Sequence, residues 1–168
     1  GPAVHALERY GRSGNITLRA SSTAGNRNVE STVDGSGLTA DGGRHISLGN
    51  PPQFGINAWE SGSGIESSLN PRGGTVSGTH WIEFARDAPT SLGEMWIWNY
   101  HEYIPGSESA NRALGCRQVT IHHSMTGSGN PADWTTVFTG EIPKTLAVAE
   151  APVSLVVDFQ AAPAKYIV

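Results

Sequence analysis

A group of polar and aromatic side chains follows residues 92–100, a stretch typical of a single β-strand. Asn99 lies at the end of this stretch, and His101, Glu102 and Tyr103 come directly after it. Hydrogen-bonding groups beside aromatic rings at the edge of a sheet suit a polar, ring-shaped ligand such as a sugar. No evident nucleophile accompanies these residues, so the pattern favours binding over covalent chemistry.

Further residues with the same chemistry lie in segments that have no strand pattern. Arg44 and His45 follow an Asp-Gly turn, Trp59 lies in a stretch rich in Gly and Ser, and Arg112 is in the loop after residue 100. Trp59 is the best candidate for an exposed aromatic surface, because an exposed Trp reduces solubility unless it has a function. The candidate ligand-binding residues are Arg44, His45, Trp59, Asn99, His101, Glu102, Tyr103 and Arg112. For each of them, the alternative is a hydrogen bond that only stabilises its own loop.

Motifs for catalysis and for zinc binding are missing from the sequence. It has no Gly-x-Ser-x-Gly elbow, no phosphate-binding Gly loop and no His-Glu-x-x-His helix. His122 and His123 are neighbours on a predicted strand, so we expect His123 on the core face and His122 on the outer face, unable to share an ion. The single Cys116 excludes an internal disulfide and is interpreted as a small buried hydrophobic residue. We therefore expect a protein that is not an enzyme.

Composition and charge limit the class of protein further. A chain of 168 residues favours one domain, and 21 Gly and 10 Pro with only 15% charged residues favour short strands joined by turns. A net charge of −4 gives no basic surface for nucleic acid. No apolar run approaches the roughly 20 residues of a membrane span. The expected partners therefore include neither nucleic acid nor membrane.

Short alternating runs recur along the chain, bounded by Gly, Pro, Asn and Ser, whereas long amphipathic helical patterns do not occur. The predicted strands are residues 15–20, 81–84, 92–100, 117–124, 134–138, 153–159 and 165–168. Trp96 and Trp98 lie inside one of them, and we expect both to pack in the interior. Many strands with long loops predict an all-β protein, an antiparallel β-sandwich of the jelly-roll kind.

The order of the motifs resembles the discoidin, or coagulation-factor type C, superfamily. Closer still is the similarity to galactose-binding-like modules attached to secreted bacterial carbohydrate-active enzymes. The motifs are Val33-Asp-Gly-Ser-Gly-Leu38, Trp81-Ile-Glu-Phe84, Met95-Trp-Ile-Trp-Asn-Tyr100, Val119-Thr-Ile121, Asp133-Trp134, Val157-Asp-Phe159 and Ala164-Lys-Tyr-Ile167. The resemblance implies a monomeric, non-catalytic carbohydrate-binding module that tethers a secreted or cell-surface enzyme to a polysaccharide or glycan. The alternatives are a discoidin-type adhesion module that binds a protein or cell-surface partner and, last, a small hydrolase.

The resemblance also implies a structural calcium ion near the Asp-Gly turn. Its ligands would include Asp34, Ser36 and Thr39, with further carbonyl oxygens from residues 20–22. The alternative is an ordinary turn in which the Asp34 carboxylate caps its own backbone.

The chain departs from the resembling modules in its domain boundaries. Gly1-Pro2 is typical of the remnant of a cleaved tag, and residues 1–14 are interpreted as a lead-in to a single module over 15–168. The strand that usually follows the Ala-Lys-Tyr element is missing, which predicts an unpaired sheet edge. An insertion over residues 50–78 is longer than expected and is predicted to reshape the ligand surface.

Overall fold

The computed structural model describes residues 16–25, 27–46, 58–59, 61–62, 70–73, 80–101, 115–145 and 148–168. The candidate residues Glu102, Tyr103 and Arg112 lie outside these ranges, as does the predicted lead-in. No helix within the described ranges has the length and hydropathy needed to cross a membrane. The strands are β1 (Ile16–Ala20), β2 (Arg44–Ile46), β3 (Ile82–Ser91), β4 (Glu94–Ile97), β5 (Gln118–Ser124), β6 (Thr135–Glu141), β7 (Glu150–Pro152), β8 (Leu155–Asp158) and β9 (Pro163–Ile167). Short 3₁₀ turns occupy Val29–Thr32 and Pro131–Asp133.

The strands form antiparallel sheets, which confirms the predicted all-β class. A five-stranded sheet has the order β1-β3-β9-β5-β6, while β4 pairs with β8 and β2 pairs with β7. Side chains from β4 and β8 pack against the larger sheet and complete the sandwich. The buried core residues are Leu92, Ile121, Val157, Phe159, Ala164 and Ile167. Burying a side chain of the size of Leu or Phe contributes about 1.5–3 kcal/mol, so this layer is the main source of stability.

The tryptophans of β4 do not lie where the sequence predicts. Met95 and Ile97 pack against the core. Successive side chains of a strand point to opposite faces, so Trp96 and Trp98 lie on the outer face of the β4–β8 pair. The expectation that both pack in the interior is therefore wrong. All four side chains are large and apolar, so the sequence pattern does not indicate which alternate set faces the core.

The two histidines of β5 lie opposite a β-bulge in the neighbouring strand β6. The register with β6 shifts between Ile121 and His122, where β6 contributes the extra residue Val137 and β5 keeps its alternation of faces. His122 is buried, and its Nδ1 lies 2.9 Å from the hydroxyl of Thr136. His123 packs against the core ring of Phe159, as predicted, and His122 lies on the opposite face, where it is covered and not exposed to solvent.

The Ala-Lys-Tyr element does not itself form a sheet edge, and the unpaired edge expected from a missing later strand stays a prediction. Strand β9 lies inside the larger sheet, with β3 on one side and β5 on the other. The main chain of Val168 also exchanges hydrogen bonds with His122. Within the described ranges, the outermost strands of this sheet are β1 and β6.

The registers place several strand termini at one end of the sandwich. Pairing of Ala20 with Ile82 puts the end of β1 beside the start of β3, and pairing of Gln118 with Glu141 puts the start of β5 beside the end of β6. The pairing of Ile167 with both β3 and β5 places these termini at the same end. We call this the loop end.

The described parts of the insertion reach both ends of the sandwich. Trp59 donates a hydrogen bond from Nε1 to the carbonyl of Ser22 at the loop end. Gly73, in contrast, approaches Gly129 in the connection between β5 and β6, at the opposite end. The described residues of this insertion therefore lie at both ends of the sandwich.

Candidate functional site

The side chain of Asn99 joins three separate segments at the loop end. Its Nδ2 donates to the carbonyl oxygens of Cys116 at 2.8 Å, Pro143 at 3.1 Å and Ile142 at 3.5 Å. Its Oδ1 accepts a hydrogen bond from the backbone N–H of Tyr100 at 2.9 Å. Only 4% of Asn99 is exposed, so the amide is occupied by the protein itself. This position favours a role in holding the loops together over direct ligand contact.

Two neighbours constrain Asn99 further. The hydroxyl of Thr145 donates to the Asn99 carbonyl at 3.2 Å, and the Asn99 backbone N–H donates to the hydroxyl of Ser154 at 2.9 Å. A Cβ on Gly115 would lie 2.8 Å from Asn99 Oδ1, so the absence of a side chain at 115 leaves the space that the amide fills. These contacts make the loop end a hydrogen-bonded support that joins residues 99, 115–116, 142–145 and 154.

Cys116 contributes its carbonyl to this support, but its side chain is not buried as the sequence predicts. The residue is exposed and forms no disulfide. Partial desolvation nevertheless raises the pKa of its thiol, which disfavours the thiolate that nucleophilic chemistry needs. The structure therefore gives no support to a catalytic cysteine here.

His45 and His101 form a buried pair that joins β2 to the segment after β4. His45 Nδ1 lies 2.8 Å from His101 Nε2, and the rings meet edge to face with centroids 5.0 Å apart. The exposed fractions are 8% for His45 and 5% for His101. β2 itself pairs with β7 and bridges to Leu38, so the histidine pair connects the Asp-Gly turn to the loop end.

The hydrogen-bond partners define the protonation of this pair. His101 Nδ1 lies 3.2 Å from the carbonyl of Val148, which only accepts, so Nδ1 carries the proton. In the neutral ring Nε2 then accepts, and His45 donates from Nδ1. Burial, and next the charge of His45, lower the pKa of His101 to about 4. The His101 ring is therefore neutral at pH 7 and acts as a structural hydrogen-bonding group.

This pair predicts that acid destabilises the domain. In the unfolded chain His101 has an ordinary pKa near 6.5, so between pH 6.5 and about 4 the unfolded state binds the extra proton. Stability is therefore full above pH 6.5 and is lost as pH falls through this window. Between pH 7 and pH 5 we expect a His101→Gln variant to lose less unfolding free energy than the wild type, by about 1–2 kcal/mol after solvent screening. Urea unfolding at the two pH values measures this, and equal losses in both proteins would contradict it.

Arg44 is the exposed member of the candidate set on β2. Its main chain is held by Thr39, whose N–H donates to the Arg44 carbonyl at 2.9 Å and whose hydroxyl accepts from the Arg44 N–H at 3.2 Å. The Thr39 hydroxyl donates in turn to Asp41 Oδ1 at 2.6 Å, and this bond, followed by one from the Gly43 N–H, lowers the pKa of Asp41. The guanidinium therefore extends from a fixed backbone. The role of Asp41 was missed from the sequence, although an Asp before two glycines is a common turn signal.

The residues predicted to bind calcium form a self-contained turn. Asp34 Oδ1 accepts from the Ser36 N–H at 2.7 Å, and Gly35 and Gly37 have φ of 84° and 74°. The Thr39 hydroxyl is engaged with Asp41, as described above. Within the described ranges, no three His, Cys, Asp or Glu side chains come together around a common point. The side chains therefore fit the ordinary turn better than a calcium site, and the ion remains a prediction.

Trp59 is less exposed than the sequence predicts. The ring is half-buried, and its Nε1 donates to the Ser22 carbonyl at 3.1 Å. The Gly62 N–H donates to the Ser22 hydroxyl at 2.9 Å. Ser22 therefore binds the insertion at both Trp59 and Gly62. The indole is thus held at the loop end and is partly exposed to solvent.

The structure therefore sorts the candidate residues into two groups. Asn99, His45 and His101 are buried and hydrogen-bonded, whereas Arg44 is exposed and Trp59 half-buried at the surface. The contributions of Glu102, Tyr103 and Arg112 lie outside the described residues and remain predictions.

Comparison with known proteins identifies the fold. No protein-family model matches the sequence, and no curated protein matches it. CBM32-3 from a family 31 glycoside hydrolase of Clostridium perfringens superposes with a TM-score of 0.50 and 16% identity, covering 93% of this chain and 77% of that chain. This chain has a discoidin-like fold. The galactose-binding-like β-sandwich implied by the order of the sequence motifs is thereby confirmed.

Two further structures with the discoidin-like fold are more distant. Discoidin II from Dictyostelium discoideum gives a TM-score of 0.48 and 10% identity, covering 95% of this chain and 49% of that chain. Chitosan-binding module 1 from a chitosanase/glucanase of Paenibacillus sp. IK-5 gives a TM-score of 0.42 and 20% identity, covering 91% and 79%.

Proposed function

We propose that this chain is a non-catalytic carbohydrate-binding module whose ligand surface is the loop end. The observation that carries the proposal is that some candidate residues are buried and hydrogen-bonded whereas others lie at the surface. Buried Asn99 and the His45–His101 pair fix the backbone, while Arg44 and Trp59 offer a guanidinium and an indole to solvent. A planar donor and an aromatic face on a rigid support suit the hydroxyls and the apolar face of a sugar ring. The discoidin-like fold supports this role.

The proposed module would tether a larger secreted or surface enzyme to a polysaccharide or glycan. A surface of this kind binds shallowly, with dissociation constants on the order of micromolar to millimolar, or about −8 to −4 kcal/mol. Such weak binding is useful when the module is linked to a catalytic domain, because effective concentration raises the overall affinity. We propose that the module acts as a monomer with the catalytic domain of its parent protein as its covalent partner.

Retardation in native gels that contain polysaccharides tests the sugar proposal. We expect at least one polysaccharide to retard the wild type and Arg44→Ala to weaken binding about tenfold, which corresponds to about 1.4 kcal/mol. Lys165→Ala is the control, because Lys165 is also cationic but lies within β9, away from the loop end. Equal losses in both variants would indicate a nonspecific charge effect. Capture of a protein partner without retardation by any polysaccharide would instead favour an adhesion module.

We further propose that a calcium ion binds at the Asp34 turn, with Ser36 and Thr39 as the other predicted ligands. An ion present at a hundredfold its dissociation constant would stabilise the folded state by about 2.7 kcal/mol. Chelation by EDTA should therefore lower the Tm of the wild type by several degrees and leave that of Asp34→Ala unchanged. An unchanged Tm of the wild type on chelation would show that the Asp-Gly segment is an ordinary turn.

A further inference from the structure

Residues 70–73 form a tight turn that lies against the connection between β5 and β6, and we call them the docked turn. Within it, Asn70 accepts two hydrogen bonds, at its Oδ1 from the Arg72 N–H at 3.1 Å and at its carbonyl oxygen from the Gly73 N–H at 2.9 Å. A Cβ on Gly73 would lie 3.2 Å from Pro131 Cδ. The docked turn therefore meets the β5–β6 connection too closely to accept a side chain at its point of contact without a shift.

His122 lies beside the docked turn, on the outer face of the larger sheet. The residue is 8% exposed, and its Nδ1 lies 2.9 Å from the Thr136 hydroxyl. Burial, and next the charge of Arg72, lower the pKa of His122, which places the guanidinium near the ring. Arg72 Nε is itself buried and has no hydrogen-bond partner among the described residues. The neutral imidazole and the guanidinium therefore share a poorly hydrated site that holds one positive charge at pH 7.

The described elements around His122 supply no charge that offsets a protonated imidazole there. On β9, the residue whose main chain pairs with His122 is Val168, which is apolar. Glu83, on β3 beyond β9, is paired with Arg19 at 2.8 Å. The titratable groups on the neighbouring elements are Lys165 and Tyr166 on β9, Asp133 before β6, Glu141 at the end of β6, His123 on the core face of β5 and Arg72 in the docked turn. Of these groups, Arg72 is the one whose charge acts on His122.

We propose that the docked turn is a latch that acid releases, because a proton on His122 drives the turn away from the β5–β6 connection. In the docked state a charged His122 lies in a poorly hydrated site beside the Arg72 guanidinium, where desolvation and like-charge repulsion both disfavour it. Release of the turn returns both cations to water. The latch acts on the same insertion that carries Trp59, but none of its own residues belongs to the loop end. The inference therefore does not depend on the sugar proposal.

Proton linkage gives the direction of the switch. With the turn released, the pKa of His122 returns towards its ordinary value of 6.5, whereas docking keeps it lower. The released state therefore binds the proton more tightly than the docked state. As pH falls from 6.5 to the pKa of the docked state, the ratio of released to docked turn rises by up to about tenfold per pH unit. Above pH 6.5 docking is at full strength.

The effect of Gly73→Ala at two pH values tests this inference, because an added Cβ prevents close docking. Urea unfolding of the wild type and the variant at pH 7.5 and at pH 5.5 gives the ratio of their unfolding equilibrium constants. The contribution of His101 to acid sensitivity is common to both proteins and cancels in this ratio. Because docking is weaker in acid, we expect the increase in the unfolding constant caused by Gly73→Ala to be smaller at pH 5.5 than at pH 7.5, by about threefold or more.

Three further backgrounds assign the pH dependence to the latch. In His122→Gln, which keeps a polar partner for Thr136 but does not titrate, Gly73→Ala should have the same effect at both pH values. Arg72→Gln, at a partly exposed position, should reduce the pH dependence even if His122→Gln does not fold. His80→Gln replaces an exposed histidine elsewhere and should leave the pH dependence as in the wild type. An effect of Gly73→Ala that is equal at both pH values in the wild-type background, or a pH dependence that persists in His122→Gln or is unchanged in Arg72→Gln, would overturn the inference.

Discussion

Replacement of Asn99 with Ala is expected to destabilise the domain by about 3–4 kcal/mol. The substitution leaves the carbonyls of Cys116, Ile142 and Pro143 without their donor in a region where Asn99 is only 4% exposed. Each buried polar group that loses its partner costs about 1–3 kcal/mol, and partial access of water reduces the sum. Urea unfolding at pH 7 measures the loss.

Two further variants separate the hydrogen bonds of Asn99 from its volume. Asn99→Asp keeps the shape but directs a carboxylate at carbonyl oxygens, so it should destabilise at least as much as Ala. Asn130→Ala is the control, because Asn130 is exposed and its side chain accepts a single bond, from the Ala132 N–H at 3.1 Å. That cap is worth about 1 kcal/mol. A loss at Asn99 no larger than at Asn130 would contradict its role as the link between the loops.

Replacement of Gly73 with Ala is expected to cost about 3 kcal/mol and to displace the part of the insertion around residues 70–73. Gly73 has a φ of 79°, where a side chain costs about 1–2 kcal/mol. An added Cβ would also clash with the carbonyl oxygen of Gly129, so one of the two backbones has to move. Gly129→Ala is the matched control, because a Cβ there meets nothing within 4 Å.

The pKa of the His122 imidazole reports the position of residues 70–73 and does not depend on a measurement of unfolding free energy. Burial, and next the charge of Arg72, lower the pKa of His122. If Gly73→Ala displaces residues 70–73, NMR titration should show the pKa of His122 rising towards its ordinary value. An unchanged pKa together with a loss below about 1 kcal/mol would show that the contact with Gly129 does not hold the insertion in place.

The strands predicted from alternation are mostly present, because each carries enough apolar side chains to show the period of two. β5, β6 and β8 are of this kind. β2 and β7 were missed because three residues are too few for a period. The second half of β3 was missed because Arg86, Asp87 and Pro89 interrupt the apolar pattern, although the strand continues to Ser91.

The candidate site was predicted only in part, for a different physical reason. The position of Asn99 at a strand end is visible in sequence, but the carbonyls that it binds come from segments 17 to 44 residues away. His45 and His101 are 56 residues apart, so their contact depends on the registers of β2 and β4. Local sequence therefore indicated which side chains can form hydrogen bonds, and tertiary structure decided which of them are occupied internally.

NMR titration of the ¹⁵N-labelled domain with a panel of neutral glycans tests the central claim most directly. The backbone amide of Arg44 and the indole N–H of Trp59 report on the loop end, while the amide of Gly127 reports on the opposite end of the sandwich. The account predicts saturable shifts at Arg44 and Trp59 with at least one glycan, a dissociation constant on the order of micromolar to millimolar, and no shift at Gly127. Absence of shifts at Arg44 and Trp59 with every glycan, or hydrolysis of a glycan by the domain, would contradict it.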